Sequence, residues 1–301
     1  RALLADPFLP AKLAEGRDDE ILTCIGCNEG CTGMLNECRP ISCALNPRTG
    51  YEDDYPMTQA DAPKAVVVIG GGPAGCEAAL TAAQRGHKVV LFEATSTLGG
   101  LANIAALPPG KGVFATLGTY FSTMLPRAGV DVRLNKKADA DAVRALHPDH
   151  VIVATGGTPI VPRFCADSPV VLAQDILTGA AQAGSRVLVI GGGLVGSETA
   201  EFLADKGREV TVVELRDGIA LDMEYKTRQM LMPKLAALGV VCLTETEVLE
   251  IGCNGNVKVK TPYLEKELSG FDTVVVALGY RPDAALCADL AAADIDFVQV
   301  G

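Results

Sequence analysis

VVVIGGGPAG at Val66–Gly75 returns as VLVIGGGLVG at Val187–Gly196. Gly70 and Gly191 are 121 residues apart (191 − 70). Glu93 and Glu214, which end the next strand-like run in each copy, are also 121 apart (214 − 93). VIVATGG at Val151–Gly157 returns as VVVALGY at Val274–Tyr280, at an offset of 123 (274 − 151). Three landmarks repeating in register signal an internal duplication, and two copies are too few for a solenoid. Around the first copy, Ala65–Ile69 reads as a buried strand from its β-branched run. Cys76–Arg85 reads as an Ala-rich helix stopped by Gly86, and Lys88–Phe92 as the next strand. The chain is therefore α/β, with two similar domains.

Each turn carries Gly-x-Gly-x-x-Gly between strand and helix: Gly70, Gly72 and Gly75, then Gly191, Gly193 and Gly196. The first glycine permits the tight turn and the second lets backbone N–H groups approach a pyrophosphate. The third lets helix and strand pack closely, so that the phosphate meets the positive helix end. An acid follows 23 residues after the first glycine in both copies (93 − 70, 214 − 191), where a ribose-hydroxyl acceptor belongs. Pro73 and Ala74, and Leu194 and Val195, fill the two motifs, so each turn is expected to bind a dinucleotide. Glu214 accepts a ribose 2′-hydroxyl and repels a 2′-phosphate, which favours NADH over NADPH; Arg208 and Arg216 nearby argue the other way.

Composition sets the limits. The chain has 301 residues, 49% of them apolar, 32 glycines, no tryptophan and a formal net charge of −11. That supports sizeable cores and argues against nucleic-acid or membrane-surface partners, since phosphates would be repelled. No apolar run is long enough for a membrane span. Ten cysteines with no signal peptide point to reduced thiols in the cytoplasm. The chain opens at Arg1 and stops at Gly301 just after the strand-like Ile295–Val300, so a fragment of something longer is expected.

The first 60 residues differ from the rest and hold five of the ten cysteines. Cys24, Cys27, Cys31 and Cys43 are spaced x2, x3 and x11, with Cys38 inside the last interval. A structural zinc usually takes two C-x-x-C knuckles. Three thiols on one glycine-bearing loop plus a distant fourth favour a [4Fe–4S] cluster. Cys76 is expected in the core. Cys165, Cys242, Cys253 and Cys287 form no C-x-x-C pair, and His87, His147 and His150 fall in no motif.

The ATGG and ALGY segments resemble those of flavin disulfide-reductase-like enzymes, where the chain crosses between two Rossmann-like domains. That resemblance implies FAD in the first domain and NAD(H) in the second, with Thr155, Gly156 and Gly279 near the cofactors and Gly301 as the first residue of the closing FAD motif. RALLADPFLPAKLAEGRDDEILTCIGCNEGC followed by CALNP is similar to the 2,4-dienoyl-CoA reductase, 2-enoate reductase and trimethylamine dehydrogenase family. The matching residues are Arg1, Asp6–Pro7 and Lys12, the four cysteines, Gly99–Gly100, Asn103, Ala105 and Pro109–Lys111. Leu101 stands where the dienoyl-CoA reductases have Gln, and Cys38 matches no ligand. The resemblance implies that Ala74, Glu93, Gly100, Leu101, Asn103, Lys111 and Ala138 contact FAD.

By the same resemblance the segments are a barrel tail with the cluster at 1–60, an FAD domain at 61–160 plus 276–301, and an NAD(H) domain at 161–275. NADH would reduce FAD, electrons would pass to the cluster, and an FMN barrel elsewhere in the full-length protein would reduce an activated C=C bond. No catalytic acid or base is expected in this portion, because hydride transfer needs stacked rings. The rival readings are an amine-dehydrogenase-type electron-transfer module with a structural ADP in the second site, and a separate subunit resembling the small subunit of glutamate synthase.

Overall fold

The computed structural model describes residues 1–165, 168–252 and 255–300. The chain divides into two compact units: residues 1–106, 112–158 and 282–301 in one, 107–111 and 159–281 in the other. It passes between them along β5 (Gly157–Pro159) and β14 (Tyr280–Pro282).

The first unit opens with α1 (Ala2–Ala5), α2 (Leu9–Ala14) and α3 (Met34–Asn36). Its sheet has the order β15–β4–β1–β2–β3, from β1 (Ala65–Ile69), β2 (Lys88–Phe92), β3 (Asp131–Arg133), β4 (His150–Val153) and β15 (Val298–Gln299). All pairings in it are parallel. Val66, Val67, Val68 and Ile69 are all buried, so β1 shows no polar alternation, as a strand covered on both faces requires. α4 (Pro73–Gln84) packs on it through Cys76, Ala79 and Leu80. This helix starts three residues before the expected Cys76. Pro73 at its first turn has a fixed φ and lacks an N–H that would have had no partner there. Gly86, at φ +92°, ends it. α5 (Leu101–Ala105), α6 (Thr116–Arg127), α7 (Ala140–Arg144) and α11 (Ala285–Ala292) complete the unit. Leu22 and Ile25, on either side of Cys24, share one buried cluster with Leu80, Phe121 and Leu125. The cysteine segment is thereby anchored to the sheet's helical layer.

The second unit repeats the plan. Its sheet order is β6–β13–β7–β8–β9, from β6 (Val170–Leu172), β7 (Arg186–Ile190), β8 (Glu209–Val213), β9 (Val241–Leu243) and β13 (Thr273–Val276). The duplication persists in the register: Ala65 pairs with Lys88 and Ile69 with Phe92, while Arg186 pairs with Glu209 and Ile190 with Val213. α8 (Ala173–Thr178), α9 (Leu194–Asp205) and α10 (Tyr225–Ala237) cover it. An antiparallel meander, β10 (Glu247–Ile251), β11 (Val257–Lys260) and β12 (Glu265–Leu268), is an addition that the repeat does not predict. It buries Val257 and Val259 while Lys258 and Lys260 face outward. No helix among the described residues is long and apolar enough to cross a membrane.

Candidate functional site

The first and third motif glycines are steric necessities in both units. Gly70 and Gly191 have φ of +111° and +99°, and a Cβ on either would strike the carbonyl of Ala154 or Ala277. A Cβ on Gly75 or Gly196 would strike the carbonyl of Gly70 or Gly191. The second glycines behave differently from each other. At Gly72 a Cβ would meet nothing within 4 Å, and the first turn of α4 has no side-chain cap. The start of this helix is thus uncapped by any side chain and has open space beside it, where a phosphate can be received. At Gly193 a Cβ would lie 2.8 Å from Asp222 Oδ2.

The two acids are held alike. Glu93 is 8% exposed; its Oε2 accepts from Gly71 N and its Oε1 from Thr95 N, both at 2.7 Å. Glu214 is 7% exposed; its Oε2 accepts from Gly192 N at 2.7 Å and its Oε1 from Arg216 N at 2.8 Å. Each oxygen keeps acceptor capacity for a ribose hydroxyl. This arrangement exposes a role the sequence reading missed. The middle glycines, Gly71 and Gly192, carry no motif weight, yet a Cβ there would come within 2.9 Å of Glu93 Oε2 or Glu214 Cβ. They are glycine so that the acid can reach the turn.

Gly70, Glu93, Ala138 and Thr155 line one cleft, with Lys136, Lys137 and Asp283. Thr155 Oγ1 donates to Asp283 O at 2.8 Å, and Asp283 N donates to Gly156 O at 2.8 Å, closing its end. Gly100, at φ +51°, packs on Gly72 and caps α5, which begins at Leu101. Asn103 Nδ2 donates to Leu98 O at 2.9 Å, so this residue shapes the loop. Pro73 and Ala74 are exposed at the start of α4. Gly301 lies outside the described residues, as does Cys253.

Lys111 belongs to the second unit, where its Nζ lies 2.6 Å from Glu198 Oε1 on α9. Burial pushes the Glu198 carboxyl up, and Lys111 pulls it back down. Glu198 was not singled out in the sequence; its position two residues beyond Gly196 was the available signal. In the same unit Leu194 and Val195 open α9, and Gly279, at φ +87°, accepts from Ile160 N at 2.9 Å.

Cys24, Cys27, Cys31 and Cys43 line one small cavity. Cys38 does not line it; it is exposed. The fourth thiol is brought in by a close approach of backbones. Ser42 N donates to Gly30 O at 2.6 Å, and a Cβ on Gly30 would meet Ser42 Oγ at 2.6 Å and its carbonyl at 2.9 Å. Burial pushes the Cys27 thiol up, the Glu29 backbone opposes this, and Cys31 and Cys43 add to the rise. The thiolates need a cationic partner to be held so close together. Asp6, 3% exposed, ties down the preceding turn by accepting from Lys12 Nζ at 2.6 Å and from Leu22 N at 3.0 Å. Cys76 is fully buried, and His147 and His150 are exposed.

Residues 64–300 match the sequence family described as pyridine nucleotide-disulphide oxidoreductase. The chain is 43% identical over 291 residues to an NADH oxidase of Thermoanaerobacter brockii, covering 94% of this chain and 44% of that protein. It is 33% identical over 300 residues to a cinnamate reductase of Clostridium sporogenes, covering 96% and 44%. A solved 2-naphthoyl-CoA reductase in complex with 2-naphthoyl-CoA superposes with a TM-score of 0.93 at 34% identity, over 99% of this chain and 46% of that one. The chain thus spans less than half the length of these relatives.

Proposed function

Because the chain belongs to the pyridine nucleotide-disulphide oxidoreductase family, we propose that it is the electron-input portion of an NADH-dependent flavin and iron–sulfur oxidoreductase. The observation that carries this reading is the paired geometry: in each unit a glycine turn, a helix N-terminus and a buried acid converge in one arrangement. In the first unit Gly70–Gly75 would hold the FAD pyrophosphate and Glu93 its ribose, with Ala138 and Thr155 lining the cleft. In the second, Gly191–Gly196 and Glu214 would hold NADH, with Glu214 rejecting a 2′-phosphate. The FAD domain is assigned to the first unit and the NAD(H) domain to the second, so that residues 276–281, which the sequence reading gave to the FAD domain, and the Lys111 loop fall on the nicotinamide side.

Cys24, Cys27, Cys31 and Cys43 would hold a [4Fe–4S] cluster. The donor set fits: four thiols line one cavity, and their three-plus-one spacing suits a cluster better than the paired C-x-x-C knuckles of a structural zinc. When bound, FAD and the cluster together accept a two-electron donor's hydride and release electrons singly. The chain's own residues bind and orient. Leu22 and Ile25 fasten the cysteine loop to the flavin-binding unit's core, and Lys111 with Glu198 places a charge pair on the nicotinamide-binding helix. The free thiols suit the reducing cytoplasm.

An FMN barrel in the same full-length protein, and reduction of an activated C=C bond of an enoate or enoyl-CoA, complete the proposal. The names of the cinnamate and naphthoyl-CoA reductases support that substrate class. The test is anaerobic mixing of the flavin-loaded protein with NADH. Bleaching of the flavin is expected; absence of bleaching with FAD bound would favour a structural ADP in the second site.

A further inference from the structure

The two glycine turns differ at one point that the duplication does not predict. In the second unit Asp222 Oδ1 accepts from Leu194 N at 2.8 Å, and its Oδ2 faces Gly193. A carboxylate therefore stands where the turn offers its N–H groups and helix end to an anion. The first unit has no such acid: 121 residues earlier stands Leu101 (222 − 121), and the space beyond Gly72 is open.

The loop that carries Asp222 is pinned on both sides. Ala220 N donates to Gly192 O at 2.6 Å, and Glu224 accepts from Thr227 N at 3.0 Å to cap α10. The Asp222 side chain itself is half exposed. Arg216 is placed to receive it, with Nη2 3.7 Å from Asp222 Oδ1 and Nε 3.5 Å from Glu214 Oε1.

We propose that Asp222 is an internal anion which occupies the phosphate turn of the nicotinamide-binding unit when empty, and which a dinucleotide pyrophosphate must displace toward Arg216. The inference rests on the reading of this unit as the NADH site. A carboxylate and a pyrophosphate cannot share one helix end, because both are anionic and both need the same N–H group. The exchange weakens binding while leaving the turn capped in the empty protein. It also engages Arg216, so that this guanidinium is committed to Asp222 when a nucleotide arrives and is not free to neutralise a 2′-phosphate.

The test is calorimetric binding of ADP-ribose, which brings the pyrophosphate without redox chemistry, to the intact flavin-loaded protein and to Asp222→Ala and Asp222→Asn. Adenosine, which has the ribose and no phosphate, is the control. Asp222→Ala should tighten ADP-ribose by about tenfold, the scale of one charge-assisted bond reduced for solvent exposure. It should also lower the Tm of the empty protein through loss of the cap. Asp222→Asn retains an acceptor for Leu194 N–H, so it keeps the fold and isolates the charge, and its gain should be smaller. Adenosine should bind all three equally. Equal or weaker ADP-ribose binding in both folded variants would overturn the displacement, leaving the NADH reading intact. Failure of ADP-ribose to bind even the parent would overturn that reading and the inference with it.

Discussion

Gly72→Val separates cofactor binding from folding, because Gly72 is the one glycine of its motif whose side-chain space is empty. Its φ of −72° and ψ of 175° are open to any residue, and an added Cβ meets no atom within 4 Å. The folded state therefore accepts the substitution. Removing a glycine from the unfolded chain should even add about 0.4–1 kcal/mol of stability. The FAD pyrophosphate, however, would need the space the valine fills. Losing two or more charge-assisted N–H contacts at about 1.5 kcal/mol each amounts to at least 3 kcal/mol, or more than about a hundredfold in affinity. Gly75→Ala is the opposite case: its Cβ strikes the Gly70 carbonyl, and overpacking backbone against backbone should cost about 1–3 kcal/mol or more. The assay is thermal unfolding of the apoprotein beside fluorescence titration with FAD. Gly72→Val should keep or raise the apoprotein Tm and fail to retain flavin, while Gly75→Ala should lower the Tm. Tight flavin binding by Gly72→Val, or its failure to fold, would refute the reasoning.

Gly30→Ala should push Ser42, and Cys43 with it, off the cysteine cavity. Anaerobically prepared protein should fall well below the roughly four iron atoms per chain of the parent, whereas Cys38→Ser should leave iron unchanged. Glu214→Ala should abolish a preference for NADH over NADPH that we put at about tenfold or more, read as flavin reduction rates. Because the carboxylate also holds Gly192 N and Arg216 N, the same variant should lose about 1–3 kcal/mol of stability for each N–H left unmatched. Burial raises the Glu77 carboxyl, and the Thr81 hydroxyl only partly offsets it. A raised folded-state value means that stability is lost as pH climbs above the ordinary carboxylate range. Glu77→Gln should therefore gain Tm relative to the parent at pH 8 and show little gain at pH 4. Lys111→Met leaves the Glu198 charge buried without its cation, so it should cost about 3 kcal/mol. That loss should grow with rising pH, because the Glu198 carboxyl is already raised by burial.

The sequence by itself determined the α/β class, the duplication and the two turns. These rest on local rules: a β-branched strand, a positive-φ glycine and a proline-started helix each follow from a few adjacent residues, and the offset of 121 carries through to strand register without change. The four cysteines could be picked out by spacing, but not why Cys43 comes to its partners; that depends on Gly30 and Ser42, 12 residues apart, touching backbone to backbone. The structural glycines Gly71 and Gly192 escaped notice because their need arises only once a carboxylate 22 residues away folds against them (93 − 71, 214 − 192). The Lys111–Glu198 pair and the Asp222 carboxylate on Leu194 N were likewise set by tertiary structure. A charged side chain finds its partner through space, and no periodicity in the chain records who that partner is.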